Sequence, residues 1–533
     1  MSKSRIKNSA KNVIYGCLGY FIGLLLAFIS KHQFIRILGS EFNGLNGLFT
    51  NILNIMNVVE LGFGGAIVFA LYLPLKNKNH YEISQIINFI KKIYLIISIS
   101  LFSLGLISIS FIKHLIHEDI NRLPFSLLEL YLFYLLFLIN NSLNYLLSHR
   151  RILLLADQKN YHVTNIDNST TVVMHILQIV MLIVFEKNRA IFAIHYKFSS
   201  YMVFLGLLIS KTFIRNIIIL FLTNKIYPYL KAHKQARPEK TTKVSILKKV
   251  KSMTFHKSSE AILNGSTTII ISTLIGITQT GIYGNYMMII MNIITLVNIF
   301  YNALLASVGN LSVSSSLEKQ YDIFNKLHSL TQFIAYVVFI SLFVLLNDFI
   351  NIWIKSEIPM IFDRKTLFAL CLFAYISIIR KSVTTFRDAK GLFSKDTYKS
   401  VFEVLIGIPI SIIFALEFGV IGAVSGYCFA VIIVSIPTET RTLFNFGFKK
   451  SARLYYFYTF KNFLLSLISA ELIYEVTNLI PYIPKLSFIL KTIVSFTITI
   501  AVFCISHFYT NEFKYYIKLS KKVLKKRVSK NNN

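Results

Sequence analysis

Six ionisable side chains stand inside stretches that are otherwise strongly apolar: Lys31, Arg36, Glu60, Asp167, His175 and Glu260. An ionised group at the centre of a bilayer costs about 2.5–3.5 kcal/mol even on a lenient insertion scale, so it persists where it pairs, titrates or meets a charged ligand. Lys31 and Arg36 are cations at the outer part of one apolar run, suited to compensating an anion, although Arg36 is equally explained by snorkelling to the interface. They are five residues apart, roughly 140° around a helix, so they do not both face one cavity squarely. Glu60 lies mid-run before the flexible segment "LGFGGA". Its carboxylate suits proton or sodium binding or gating, with a neutralised or ion-paired structural Glu as the alternative. Asp167 and Glu260 start near the end of their runs, where helix capping also accounts for them.

Neutral polar residues recur around these charges at steps of three and four, which places them on one helical face. Asn46, Thr50, Asn54, Asn57 and Glu60 form one such stripe; Thr164, Asp167, Asn168, Thr171 and His175 form a second. Glu260, Asn264, Thr267 and Thr268 form a third, Asn292, Thr295, Asn298 and Asn302 a fourth, and Asn140 and Asn141 stand as a pair. Interhelical hydrogen bonds, worth roughly 0.6–2 kcal/mol each in a membrane, account for any one of these residues. Several stripes together suit a wet cavity. Lys31, Arg36, Asn54, Asn57, Asn140, Asn141, Asn264 and Asn298 are thus candidate substrate contacts, and Glu60, Asp167, His175 and Glu260 candidate ion-coupling groups.

The elements that carry these stripes are long apolar helices. Of 533 residues, 54% are hydrophobic and 15% charged, and the mean hydropathy is +0.60, the composition of a polytopic membrane protein. Apolar runs of bilayer-crossing length, about 20 residues, fall near 13–37, 45–73, 90–112, 124–147, 163–184, 198–223, 255–277, 281–306, 331–354, 366–386, 397–416, 419–437, 456–477 and 487–509. They give about fourteen spans. The first is too long for a signal-peptide core and reads as a retained anchor.

The net charge of +32 is concentrated in alternate loops: before the first span, after the second and fourth, over Lys225–Lys251 with Glu239 as its sole acid, and in the tail Lys514–Lys530. Retention of Lys and Arg on the cytoplasmic side puts both termini and the central loop inside, and makes the charge a matter of orientation and anionic lipid rather than nucleic acid. Lys187, Arg189 and Lys197 depart from the rule, in a loop assigned outside, whereas Arg380, Lys381, Arg387 and Asp388 lie at a cytoplasmic helix end, where topology alone places positive charge. Cys17, Cys371, Cys428 and Cys504 have no metal-ligand or disulfide spacing.

A repeat organises the spans. "LGSEFNGLNG" (38–47) and "IGITQTGIYG" (275–284) share one glycine spacing: Gly39, Gly44 and Gly47 recur 237 residues on as Gly276, Gly281 and Gly284. Both copies fall in outer hairpins, between spans one and two and between seven and eight, where glycine permits a tight turn and close approach of helix ends. The chain divides accordingly into a six-helix lobe (1–223), a basic cytoplasmic connector (224–252), a second six-helix lobe (253–445) related to the first as a parallel repeat, two additional spans (446–510) and a basic tail (511–533) expected to be disordered from "KKVLKKRVSKNNN".

Several stretches together carry a family pattern: "LGSEFNGLNGLFTNIL", "ELGFGGAIVFALYLPL", "LLLADQKNY" (153–161), "NKIYPYLK" (224–231), "IIISTLIGITQTGIYGNYMMI", "FRDAKGLF" (386–393) and "FGFKKS" (446–451). On these the chain resembles the bacterial oligosaccharide flippases of the polysaccharide-transporter (Wzx-like) branch of the multidrug/oligosaccharidyl-lipid/polysaccharide (MOP) exporter superfamily. The resemblance implies an all-α fold of two pseudo-symmetric six-helix lobes around a cleft, alternating access, and an undecaprenyl-diphosphate-linked oligosaccharide carried across the bacterial cytoplasmic membrane. It also implies partners among membrane lipids and the polysaccharide polymerase and glycosyltransferases of the same pathway. Lys31 occupies a place where the pattern usually has Arg, which keeps charge without a bidentate grip on phosphate. Thr267 stands where many relatives carry an acid. The last two spans look like the added pair of lipid II flippases, which shape a groove for the lipid tail.

No cofactor is expected beyond H+ or Na+ as a coupling ion, and no HExxH, GxSxG, P-loop or Rossmann fingerprint points to an enzyme. Other functions on these residues are a drug or metabolite cation antiporter of the same fold, a membrane glycosyltransferase or polymerase, for which the external loops are short, and a non-transporting scaffold of envelope assembly.

Overall fold

The computed structural model describes residues 3–189, 196–354, 360–481, 483 and 485–531, with backbone alone at 3–18, 59, 61, 62, 65, 66, 69, 241, 245, 248, 249, 251–257, 260, 306, 393, 394 and 522–531. The side chains of Cys17 and Glu260 therefore lie outside the described set. Every described element is helical. In chain order they are α1 (Lys3–Leu38), α2 (Ser40–Met56), a 3₁₀ segment (Asn57–Gly62), α3 (Phe63–Lys76), α4 (His80–Ile112), α5 (Leu127–Leu146), α6 (Ser148–Ala156), α7 (Asn160–Lys187), α8 (Tyr196–Ile226) and α9 (Lys240–Leu274). There follow α10 (Ile277–Ser314), α11 (Leu317–Ile354), α12 (Arg364–Ile379), α13 (Lys381–Ala389), α14 (Tyr398–Phe418), α15 (Val420–Phe448), α16 (Arg453–Asn478), α17 (Leu486–His507) and α18 (Asn511–Asn531).

Each of the fourteen expected spans falls on a helix, and among the described residues eleven helical stretches are by themselves long and apolar enough to cross a membrane. The other three differ for visible reasons. Span two is divided by the 3₁₀ segment before the "GFGG" run; span seven is the apolar end of a longer polar helix; α16 carries Arg453, Lys461, Glu471 and Glu475. Some helix starts carry side-chain caps. Ser126 and Glu129 close a reciprocal capping box on α5, and Asp363 accepts from the Lys365 and Thr366 amides at α12.

Two expectations change. The second half of the segment assigned as connector is the first turns of α9, which begins at Lys240. The tail is helical through Asn531. Its Lys, Leu and Arg are good helix formers without Gly or Pro, and it is seated where the Tyr516 hydroxyl donates to the Lys326 carbonyl (2.9 Å) and the Lys326 ammonium stands 4.4 Å over the Tyr515 ring.

The chain forms two compact units, Met1–Gly284 and Asn285–Asn533, so the first turns of α10 belong to the first unit. In the first unit α1 packs along α7, α4 along α5, and α9 against α2 and the 3₁₀ segment. Buried aromatic rings meet edge-to-face at its centre: Phe42 on Tyr201 (4.9 Å) and Phe133 on Tyr201 (4.6 Å). In the second unit α11 contacts α12, α16 and α17. The two additional helices are thus built onto α11.

Candidate functional site

The glycine repeat is a helix crossing. Gly39 (φ +100°) and Gly276 (φ +144°) make the two turns, in a backbone region that L side chains rarely enter. Beyond the turns, the starts of α2 and α10 touch backbone to backbone. A Cβ added to Gly44 would stand 2.0 Å from the Ile277 carbonyl oxygen, and one added to Gly281 would stand 2.0 Å from that of Ser40. The offset of 237 that maps Gly44 to Gly281 also maps Ser40 to Ile277, so the contact is reciprocal, one copy of the motif against the other. The third glycines have room, with nothing nearer than 3.9 Å at Gly47 and 3.7 Å at Gly284. Asn43 Nδ2 fastens the crossing by donating to the Gly281 carbonyl (2.6 Å).

The two copies are braced differently. Glu118, from the α4–α5 loop, accepts the Ile277 and Thr278 amides (2.7 and 3.2 Å) at the N-terminus of α10, where a carboxylate complements the helix dipole. Ser272 Oγ donates to the Leu115 carbonyl in the same loop (2.6 Å). The first copy carries its own acid, Glu41, in the first turn of α2.

Lys31 is tied to this crossing. Half-buried on α1, it donates to Asn43 Oδ1 and stands 5.6 Å over the Phe34 ring. Arg36 points elsewhere, donating to both Glu186 oxygens (2.5 and 2.6 Å) with 48% of its side chain exposed. The angular separation read from the sequence is therefore realised as two different partners.

Much of the polar stripe on span two is used within the first unit. Asn46 accepts from the Tyr201 hydroxyl (3.1 Å), and Asn57 exchanges reciprocal amide bonds with Asn141 (3.0 and 3.1 Å). The Glu60 carboxylate is hydrogen-bonded to the Tyr94 and Tyr145 hydroxyls. Asn140 Oδ1 accepts from Thr212 (2.7 Å). Thr50 and Asn54, one turn apart, are the exposed members of the α2 face. Asn264 on α9 and Asn298 on α10 are half-buried. His175 Nδ1 lies 3.2 Å from Gln178 Oε1, which also accepts from Ser30 on α1 (3.3 Å).

Asp167 is seven residues inside α7 and pairs rather than caps: Arg151 Nη2 is 2.5 Å from Oδ2 and Arg215 Nε 3.8 Å from Oδ1. Arg215 also donates to Asn144 Oδ1. Arg215 and Lys211 are not among the residues expected at the site, although two cations four apart in an apolar run are the signal that marks them.

The second unit holds a drier cluster and a groove. Glu439, 1% exposed, receives Arg380 (2.7 Å), Lys399 (2.6 Å) and Arg387 (3.3 Å), and Arg387 also reaches Asp396 (2.8 Å). Between α11, α12 and α16 lies an apolar groove of about 460 Å³ lined by Phe339, Phe343, Phe368, Leu467 and Ile468, with Glu471 at its edge. Glu471 and Glu475, four residues apart on α16, both meet Arg364 (2.5 and 3.8 Å), whose guanidinium stacks over Tyr474 (4.2 Å).

No protein-family model matches the chain, and no curated protein matches it by sequence. Solved structures do. A lipid II flippase MurJ in an inward closed conformation aligns with TM-score 0.62 at 14% identity, over 93% of this chain and 99% of that one. An inward-facing multidrug resistance MATE transporter of the MOP superfamily aligns with TM-score 0.62 at 13% identity, over 80% of this chain and 98% of that one. A MOP superfamily transporter from Pyrococcus furiosus, described as having a binding pocket of reverse polarity, gives 0.54 at 13% identity, over 84% and 97%. At such identities the likeness is one of fold. The chain is an all-α, polytopic protein with the fold of these MOP transporters.

Proposed function

We propose that the protein is a flippase that moves undecaprenyl-diphosphate-linked oligosaccharide units across the bacterial cytoplasmic membrane by alternating access between the lobes at 1–223 and 253–445, with both termini cytoplasmic. The observation that carries this reading is the pairing of the two added helices with an apolar groove on α16. The structural likeness to MurJ extends over 93% of the chain where that to the MATE transporter stops at 80%, a difference of about the length of two such helices. A polyprenyl chain needs an apolar channel open to lipid while its head group needs a polar path.

Lys31 compensates the diphosphate, and its bond to Asn43 couples that cation to the crossing of α2 and α10. Opening the crossing frees Asn43 from Gly281 and changes what Lys31 can hold. An inside-negative potential favours outward movement of negative charge by roughly 2.3 kcal/mol per charge per 100 mV. Glu60, held by two tyrosines, is the candidate for added H+ or Na+ coupling, with Asp167 and His175 behind it. The glycosyltransferases and polymerase of the pathway are the expected partners, upstream and downstream.

The equal TM-score of the MATE transporter supports a second reading, a drug or metabolite cation antiporter. Reconstitution into liposomes separates the two. A lipid-diphosphate-linked glycan should become accessible on the far leaflet, and Lys31→Ala and Glu60→Gln should insert normally yet slow flipping. Unchanged rates in both remove the site assignment; ion-driven cation uptake without glycan flipping selects the antiporter.

A further inference from the structure

The segment after α8 is not a loose basic loop. Beyond the single turn Tyr229–Ala232, residues 233–238 are pinned to the first turns of α4. Asn88 Nδ2 donates to the His233 and Ala236 carbonyls (2.8 and 3.2 Å), and Gln85 Nε2 to that of Arg237 (2.8 Å). Ala236 and Pro238 are buried, and the His80 ring stacks on Tyr229 at 4.1 Å. Together with the start of α9, this fold of the chain encloses a concavity of about 330 Å³ lined by Asn88, Phe89, Lys92, Lys234, Arg237 and Lys243, among others. Four of those lining residues are cations and none is a carboxylate. Lys243 stands 6.0 Å over the Phe89 ring.

We propose that this concavity binds a phosphate group carried by a membrane lipid. The concavity has room for a phosphodiester or diphosphate, and its cations supply the charge such a group needs. Phe89 lies where α4 enters its apolar run, so the cations sit at head-group depth on the side assigned as cytoplasmic. Convergence of four cations on one braced cavity concentrates the field in a way that scattered surface lysines do not. The assignment holds whether or not the protein flips glycans, because it requires only a phosphate at the inner surface.

The test uses the full-length protein in nanodiscs of phosphatidylcholine, doped with phosphatidylglycerol in one arm and undecaprenyl diphosphate in another, with soluble inorganic diphosphate as the third probe. Saturable binding of at least one doped lipid is expected, with free diphosphate weaker. Removing three cations at once (K234Q/R237Q/K243Q) should weaken lipid binding about a hundredfold, at about 1 kcal/mol per cation. The same charge loss on α18 (K514Q/K518Q/K521Q) should leave it within about twofold. Asn88→Ala keeps every charge and should still weaken binding, by releasing the loop. Equal loss in both triple variants, or no loss in Asn88→Ala, would reduce the site to diffuse attraction and overturn it. Tighter binding of free diphosphate than of either lipid would overturn the lipid assignment. A flipping assay that fails while lipid binding persists tells against the flippase and leaves this site standing.

Discussion

Helices α5, α6, α7 and α8 of the first unit correspond in order to α12, α13, α14 and α15 of the second, and each set carries an ion cluster where the short helix meets its two neighbours. In the first, the acid is Asp167 on α7 and the bases are Arg151 on α6 and Arg215 on α8. In the second, the acid is Glu439 on α15 and bases come from Arg387 on α13 and Lys399 on α14, with Arg380 between α12 and α13. The signs have moved between elements while the plan is kept. Exposure differs as well: the Asp167 side chain is 32% exposed and that of Glu439 1%. A half-open pair remains free to exchange partners, whereas a buried one with three cations is committed to structure, since breaking it strands charge in a low dielectric. The pair in the first unit is therefore the one that can change partners, and the cluster in the second is fixed by its burial.

The largest break should come from Glu439→Gln, which leaves Arg380, Arg387 and Lys399 without their shared acid. A loss of about 3–5 kcal/mol is expected, seen as loss of the monodisperse protein in size-exclusion chromatography and a lowered melting temperature. Next, Gly281→Val forces a side chain onto the Ser40 carbonyl at 2.0 Å and should cost about 1–3 kcal/mol, while Gly284→Ala, with ordinary contact distances, should be silent. Cysteines placed across α2 and α10 would report the spreading of the crossing as lost cross-linking.

Acid should separate the two corners. His149 on α6 is 1% exposed, and burial, with the charges of Arg150 and Lys91, pushes its pKa down to about 3 from 6.5. The folded state thus holds it neutral. Its contribution is full above pH 6.5 and is lost as pH falls toward 3, at up to about 1.4 kcal/mol per pH unit. His149→Gln should flatten that slope in thermal melts of the protein between these limits. The smallest effect is expected for Asp167→Asn, within about 1 kcal/mol of wild-type stability because the pair is solvent-screened. A change in the pH or ion dependence of transport in this variant, with stability kept, would support the proposed ion-coupling role of Asp167.

The sequence legibly carried the helices, since period and length of apolar runs are local properties. It also carried the twin hairpins, because Gly39 and Gly276 must take positive φ wherever the chain turns. Arg380, Lys381, Arg387 and Asp388 were legible only as charge at a helix end; that Arg380 and Arg387 converge on Glu439, some fifty residues later, is a long-range fact. The stripe on α2 was legible as a face but not as a set of partners: Asn46, Asn57 and Glu60 are taken up by Tyr201, Asn141, Tyr94 and Tyr145. Composition alone does not show that Tyr515 and Tyr516, at the start of the tail, meet Lys326 on α11.

By itself, then, the amino-acid order determined where the apolar runs fall, the glycine punctuation of the two hairpins and the doubling of the motif, all of which follow from backbone conformation and hydropathy over a few turns. Only the tertiary structure decided that Gly44 meets the carbonyl of Ile277 while Gly281 meets that of Ser40, that Lys31 leans on Asn43, and that one acid–arginine corner is buried and the other partly exposed. Those outcomes depend on which faces of distant helices exclude water from each other, and burial sets the cost of a charge where neighbouring residues in the chain do not.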